Sequence, residues 1–498
     1  MILNVDQGIN RYYVQTLCMV FFPGAKFSAD EEATPDTPVI TVRASGDGEN
    51  VTASVTISVG ELSVKAEDTR AKKSTSKINA EKVAIGAAFL KAGKLMFNYS
   101  PAWGILTGVR PSKLAMDLMT KDKLSMREIR QILTKQYFLN PKKASLVMSV
   151  AEREMGILRD FDRANTCSVY ISVPFCPSRC NYCSFVSYST PRLLSMIPDY
   201  IDMVCRDIDE TFRVIKEIGK KVSCVYIGGG TPSILDPSQI SRILERVAAN
   251  VDPGSLLEYS FEAGRPDTIT REKMDVLKRS GVGRISVNPQ TLNDVVLETI
   301  GRGHTAADFY RAYDIARRSG IECINTDLII GLPGESFASL AHTVDAILQL
   351  SPENVTFHTF CVKRAADIVK TDRSVFSRQG GSVGKCVDYA QLKAKLAGYE
   401  PYYMYRQKNT VGNFENVGYE RDGCDGLYNV FMMEEIHSIF AVGAGGVTKM
   451  VNADGTDIKR VSAPKYPYEY LNPEIHDRSI HDILGAAREF FRAENEKN

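Results

Sequence analysis

Residues 168–183 read SVYISVPFCPSRCNYC. The first half, Ser168 to Val173, is a short β-branched run stopped by Pro174, the pattern of a buried strand that ends in a loop. The second half sets Cys176, Cys180 and Cys183 in that loop at the spacing C-x3-C-x2-C. Five similar runs follow downstream: CVYIGGG (224–230), LEYSFEAG (257–264), RISVNPQ (284–290), CINTDLIIG (323–331) and NVTFHTF (354–360). Between the first two strands, Ile201, Val204, Ile208, Phe212 and Ile215 mark one face of a helix. Strands joined by helices predict a parallel sheet with right-handed crossovers. The expected fold class is therefore α/β, a partial six-stranded β/α barrel that gathers its ligands at the C-terminal strand ends.

Three thiolates this close can each hold one iron of a 4Fe–4S cubane and leave the fourth iron open. Structural zinc is the alternative, but it takes four protein ligands, commonly as two C-x2-C pairs. No second pair follows. The chain has 11 cysteines, an odd number, and its start, MILNVDQGINRYY, carries no secretory signal. Both features argue against a disulfide framework. Most of the other cysteines sit in apolar patterns, such as Cys224 in SCVYI and Cys323 in IECIN, and read as buried free thiols.

Basic and acidic side chains number 61 and 60 in 498 residues. That balance excludes a strongly basic nucleic-acid scaffold and an acidic tail, so no nucleic-acid partner is expected. No apolar run reaches the about 18 residues of a membrane span, and a cytoplasmic protein is expected. The length fits two or three domains. Residues 1–160 form a separate N-terminal region, β-rich at first (VITVRA, 39–44; VTASVTISV, 51–59) and helical over 80–156. There Ser125 and Glu128 make a capping box, Asn140-Pro141 opens a helix and Gly156 closes it. Residues 161–370 form the barrel. Residues 371–498 form an α/β appendage that covers substrate and ends in a charged helix near 477–495.

Other polar groups fall at the same strand ends. Gly228-Gly229-Gly230-Thr231-Pro232 follows the second strand, where glycine lets backbone approach a ligand closely. A tight turn is the plainer explanation of such a run. Glu262 ends the third strand and Gln290 the fourth, with Arg302 following in IGRGH. Asp327 lies inside the apolar INTDLIIG, where a carboxylate is costly unless paired or used.

With these motifs in hand, the chain resembles the radical S-adenosylmethionine (SAM) enzymes over about 165–365, through the three cysteines and Tyr182 before the last of them. The runs YISVPFC, YIGGGTPS, SVNPQTLN, IGRGH and TDLIIGLPGE resemble one branch, the oxygen-independent coproporphyrinogen III dehydrogenases. GILTGVRPSKL (104–114), HTFCVKRAA (358–366) and YYMYRQKNTVGNFENVGYE (402–420) are similar to its long, HemZ-like members, which extends the resemblance to roughly 104–450.

The resemblance implies a 4Fe–4S cluster on Cys176, Cys180 and Cys183 and one or two molecules of SAM. It implies SAM contacts from Tyr170, Tyr182, Gly229, Gly230, Thr231, Glu262, Gln290, Arg302, Asp327 and Cys361. It implies oxidative decarboxylation of coproporphyrinogen III to protoporphyrinogen IX, fed by an electron donor such as flavodoxin or ferredoxin. A haem-binding chaperone, or a radical SAM methyltransferase or haem-modifying enzyme on the same core, is the competing expectation. A tetrapyrrole with four propionates calls for cations, and Lys363, Arg364, Arg406 and Lys408 are the candidates. The chain departs from the branch at Phe185, where the characterised oxidase has a fourth cysteine, and in its long N-terminal region.

Overall fold

The structure, a computed structural model, describes residues 1–27, 34–72, 79–361, 381–421 and 423–495. The chain divides into two compact units. The first comprises residues 1–152 together with 404–415 and the described part of 372–384. The second holds the remainder.

In the first unit a four-stranded sheet runs in the order β1 (Ile2–Val5), β2 (Val39–Gly46), β3 (Asn50–Val59), β4 (Leu62–Ala71). The β2–β3 and β3–β4 pairs are antiparallel, whereas β1 lies parallel to β2. Alternation puts Val51, Ala53, Val55 and Ile57 of β3 on one buried face. Helices Arg11–Phe21 and Ala80–Phe97 cover that face, and Leu17, Ile40, Val55 and Phe89 share one core. Further helices follow at Pro111–Thr120, Met126–Gln131 and Pro141–Leu158. Ser125 and Glu128 do form the capping box. The last of these helices runs two residues beyond Gly156, because a single glycine weakens a helix by only about 1 kcal/mol and need not end it.

The second unit is built on β5 (Thr166–Val173), β6 (Lys221–Gly229), β7 (Glu258–Glu262), β8 (Arg284–Ser286), β9 (Cys323–Ile330) and β10 (Asn354–Thr359). These six are parallel neighbours in chain order. Helices such as Ile197–Glu217 cross between them, with Ile201, Val204, Ile208, Phe212 and Ile215 buried as the spacing requires. β8 is shorter than the sequence suggests. It ends at Ser286, and Gln290 rejoins β9 only through an isolated bridge to Leu328.

Downstream come β11 (Glu400–Arg406), β12 (Glu415–Glu420), β13 (Ser438–Val442), β14 (Val447–Val451) and β15 (Ile458–Ser462). β12 pairs antiparallel with β10, and β13 pairs parallel with β5. The parallel layer therefore has a seventh strand supplied by the C-terminal region, which the alternating pattern of 165–360 does not disclose. The sheet is open, in the order β11-β12-β10-β9-β8-β7-β6-β5-β13-β14-β15. No helix among the described residues is long and apolar enough to cross a membrane.

Candidate active site at the strand ends

β5 delivers the cysteine loop. Cys176 N–H donates to the Tyr188 carbonyl at 2.9 Å, and Tyr188 N–H returns to Pro174 at 2.8 Å. Asn181 pins the far side, donating through its backbone to Ile300 (2.9 Å) and through its side chain to Thr299 (3.1 Å). Cys180 is buried, and Cys176 and Cys183 are partly exposed. Burial and the neighbouring thiols push the Cys176 and Cys183 thiols up, against hydrogen bonds from Thr231 and Ser187 at Cys176. The Cys176 sulfur lies 3.3 Å from Thr231 Oγ1. Arg265, 3% exposed, reaches the same loop. Its Nη1 donates to Ser178 Oγ at 3.1 Å and approaches Cys180 Sγ at 3.8 Å, while two 2.8 Å bonds tie the guanidinium to Asp267. Sequence reasoning missed Arg265, although its place three residues past the end of β7 marks the same rim.

β6 ends in the glycine run. Gly229 has φ +120°, and a Cβ there would stand 3.0 Å from the Val173 carbonyl. A Cβ at Gly230 would stand 2.5 Å from the Phe175 carbonyl. These glycines therefore let the end of β6 press against the chain that enters the cysteine loop, with Gly230 N–H on Val173 and Thr231 N–H on Phe175 at 2.8 and 2.7 Å. Glu262, at the end of β7, accepts from Tyr226 Oη at 2.5 Å and from Gly229 N–H at 3.2 Å. Burial outweighs those bonds and lifts its pKa to about 7.

The third group lies beyond β8. Asn288 donates to Asp327 Oδ2 at 2.8 Å, and Asn325 donates to Oδ1 at 2.7 Å. His358 Nε2 stands 3.8 Å from Asp327 Oδ2. Burial acts to raise the Asp327 pKa, but His358 and the amide donors win and hold the carboxylate low. Gln290 is buried at φ +69°, its backbone clamped between Asp327 O (3.1 Å) and Ile329 N (2.9 Å). Arg302 gives one Nη to the Asn288 carbonyl at 2.8 Å. Among the described residues, Gln290 Oε1 and Arg302 Nε are buried and have no hydrogen-bond partner.

Tyr182 lies in the field of Arg302, Cys180 and Cys183, and its hydroxyl pKa is raised mainly by burial. Tyr170 belongs to an aromatic stack with Tyr226 (centroids 6.2 Å) and Tyr428 (6.3 Å). Cys361 follows β10 and is partly exposed. Lys363 and Arg364 lie outside the described residues. Arg406 and Lys408 belong to the first unit. Arg406 is 4% exposed and donates to the Leu106 and Asn413 carbonyls. Lys408 meets the Tyr12 hydroxyl.

The strand ends fit a cluster and a polar cofactor. Among the described residues, no three Cys, His, Asp or Glu side chains converge as ligands of one ion do. A cubane does not ask for that convergence, since each thiolate takes a different iron. An orphaned acceptor on Gln290 and an orphaned donor on Arg302 suit a ligand bearing both amino and carboxylate groups, because buried polar atoms are otherwise partnered.

Residues 170–347 match the family model of the radical SAM superfamily. The chain is 35% identical over 370 residues to the oxygen-independent coproporphyrinogen-III oxidase-like protein HemZ of Bacillus subtilis, a match spanning 74% of each chain. It is 34% identical over 324 residues to the heme chaperone HemW of the same organism, spanning 64% of this chain and 82% of that one. In fold it is similar to the coproporphyrinogen III oxidase HemN of Escherichia coli, with a TM-score of 0.51 at 20% identity over 65% of this chain and 73% of that one. A three-cysteine loop at the head of a parallel α/β sheet, matched in sequence across three quarters of a relative, makes this chain a member of the radical SAM superfamily in its HemZ-like branch, with a 4Fe–4S cluster and SAM as cofactors.

Proposed function

We propose that this protein converts two propionates of coproporphyrinogen III to vinyl groups without oxygen, yielding protoporphyrinogen IX. Each propionate loses a hydrogen atom, carbon dioxide and one electron, and the electron passes to a separate one-electron acceptor. The similarity to HemZ over 74% of both chains carries this reading. The cluster and SAM, when bound, supply one-electron chemistry able to remove a hydrogen atom from an unactivated carbon, and a flavodoxin- or ferredoxin-class donor feeds it.

The chain's own residues bind and orient. Cys176, Cys180 and Cys183 hold the cluster on a loop secured by Arg265 and Asn181. Thr231, Gly229 and Gly230 set the distance between that loop and β6. Glu262, Gln290, Arg302 and Asp327 present an acceptor, a donor and two carboxylates of different protonation to SAM, with Tyr170, Tyr182 and Cys361 completing its surroundings. Glu262 accepts a hydrogen bond from Tyr226 and exchanges its own proton near neutral pH, while Asp327 stays anionic. Such fixed dipoles act before the reaction begins and need no reorganisation during it.

A haem chaperone is the second reading, favoured by the match across 82% of HemW. One experiment separates them. The protein is reconstituted anaerobically with iron and sulfide, then incubated with SAM, reductant and coproporphyrinogen III, and separately with haem. Protoporphyrinogen IX in the mass spectrum supports the oxidase. Stoichiometric haem binding without a new tetrapyrrole assigns the chaperone.

A further inference from the structure

The first unit contains a recess of about 860 Å³, part of it open to solvent. One wall is aromatic: Phe21 stacks on Phe97 at 5.9 Å and meets the edge of Tyr99 at 6.2 Å. The other wall is the segment 406–413. It turns through left-handed residues at Asn409, Gly412 and Asn413, which points the Asn413 carbonyl at Arg406.

Arg406 is the unusual group. It is buried on this wall, with its guanidinium 4.7 Å above the Trp103 ring. Two backbone carbonyls take its Nη donors, and Nε is buried with no hydrogen-bond partner among the described residues. Among the described residues it forms no ion pair. The nearby acid, Glu415, is committed to Lys143 and to Trp103 Nε1. Burial lowers the Arg406 pKa to about 10, as expected of a cation short of countercharge. A buried charge whose hydrogen bonds go only to neutral carbonyls is costly, and an incoming anion relieves it.

We propose that this recess binds an apolar, ring-bearing carboxylate, with the acid group on Arg406 and the ring against Phe21, Phe97 and Tyr99. This inference does not rest on the reading given above.

The test uses the full chain and two probes of equal shape, 2-naphthoate and the uncharged 2-naphthamide, followed by calorimetry. A charge-assisted contact predicts one naphthoate per chain, bound at least about tenfold tighter than the amide. Val109, 46% exposed at the recess, accepts a larger side chain without disturbing the core. Val109→Trp should abolish binding of both probes, and Arg406→Met should erase the preference for the acid. If Arg406→Met fails to fold, the acid–amide comparison and Val109→Trp decide alone. Equal affinity for acid and amide, no binding of either, or an acid preference that survives both substitutions would overturn the proposal.

Discussion

Arg265 in the second unit donates to Asp267 through two bonds of 2.8 Å, whereas Arg406 in the first, similarly buried, gives its hydrogen bonds only to carbonyl oxygens. The first unit can pair a buried charge when structure alone is at stake. Lys143 and Glu415, 2% and 0% exposed, form a closed pair with Trp103 as the third member. Among the described residues the second unit also leaves buried polar atoms without a hydrogen-bond partner, Gln290 Oε1 and Arg302 Nε of the strand-end group among them. The contrast separates groups that support the fold from groups that await a ligand. Closed pairs such as Lys143–Glu415 and Arg265–Asp267 belong to the first kind. Orphaned atoms at strand ends and on a recess wall belong to the second.

The sharpest test of that division is the cysteine loop. Cys176→Ala, Cys180→Ala or Cys183→Ala should remove the cluster entirely, read as loss of about four irons and four sulfides per chain and of the brown colour. Cys224→Ser and Cys323→Ser, in the strands, should leave iron content unchanged.

Next in size is the closed pair of the first unit. Lys143→Met leaves Glu415 buried with one partner fewer, and should destabilise the protein by about 3–5 kcal/mol in urea titration while reconstituted iron content stays the same. An iron loss there would break the comparison, because it would tie the first unit's core to the cluster.

Arg265→Gln should give a smaller loss of stability, about 2–3 kcal/mol, since Asp267 is partly solvated at 27% exposure. It should also speed iron release to a chelator, because Ser178 and Cys180 lose their anchor. Loss of stability with unchanged iron release would reduce Arg265 to a scaffold residue.

The smallest effect concerns pH. Glu262 titrates at about 7 in the folded chain, above its ordinary 4.5. Between those values the folded state keeps a proton that the unfolded state has released, so stability falls as pH rises from 4.5 to 7. After a discount for its partial exposure, the loss is roughly 2 kcal/mol. Urea melts at pH 5 and pH 8 should show it, and Glu262→Gln should flatten that difference. An unchanged slope in the variant would assign the dependence to another group.

Much of the second unit is legible along the chain because the information is local. Short continuous apolar runs and 3.6-period apolar patterns set six parallel strands and their helices, since a central parallel strand buries both faces and its helix buries one. The cysteine spacing announces a cluster because three thiolates held on one short loop can each take a different iron of one cubane. Gln290, Asp327 and Arg302 are legible as polar residues at strand ends, but their roles are not. Whether Asp327 stays ionised depends on Asn288, Asn325 and His358, which come from three separate segments.

The glycine run shows the limit from another side. Its sequence is compatible with a ligand cradle, yet a Cβ at Gly229 or Gly230 first meets the backbone at Val173 or Phe175. Arg406 shows it most plainly. Its neighbours in YRQKN suggest a surface cation, and only the folding of 404–415 with residues 1–152 buries it against Trp103. The sequence by itself determined the elements, the order of the parallel strands and the cysteine chemistry, all of which depend on residues close in the chain. Tertiary structure alone decided which charges are paired, which polar atoms are orphaned and where the seventh parallel strand comes from, because those depend on desolvation and contacts between segments far apart in sequence.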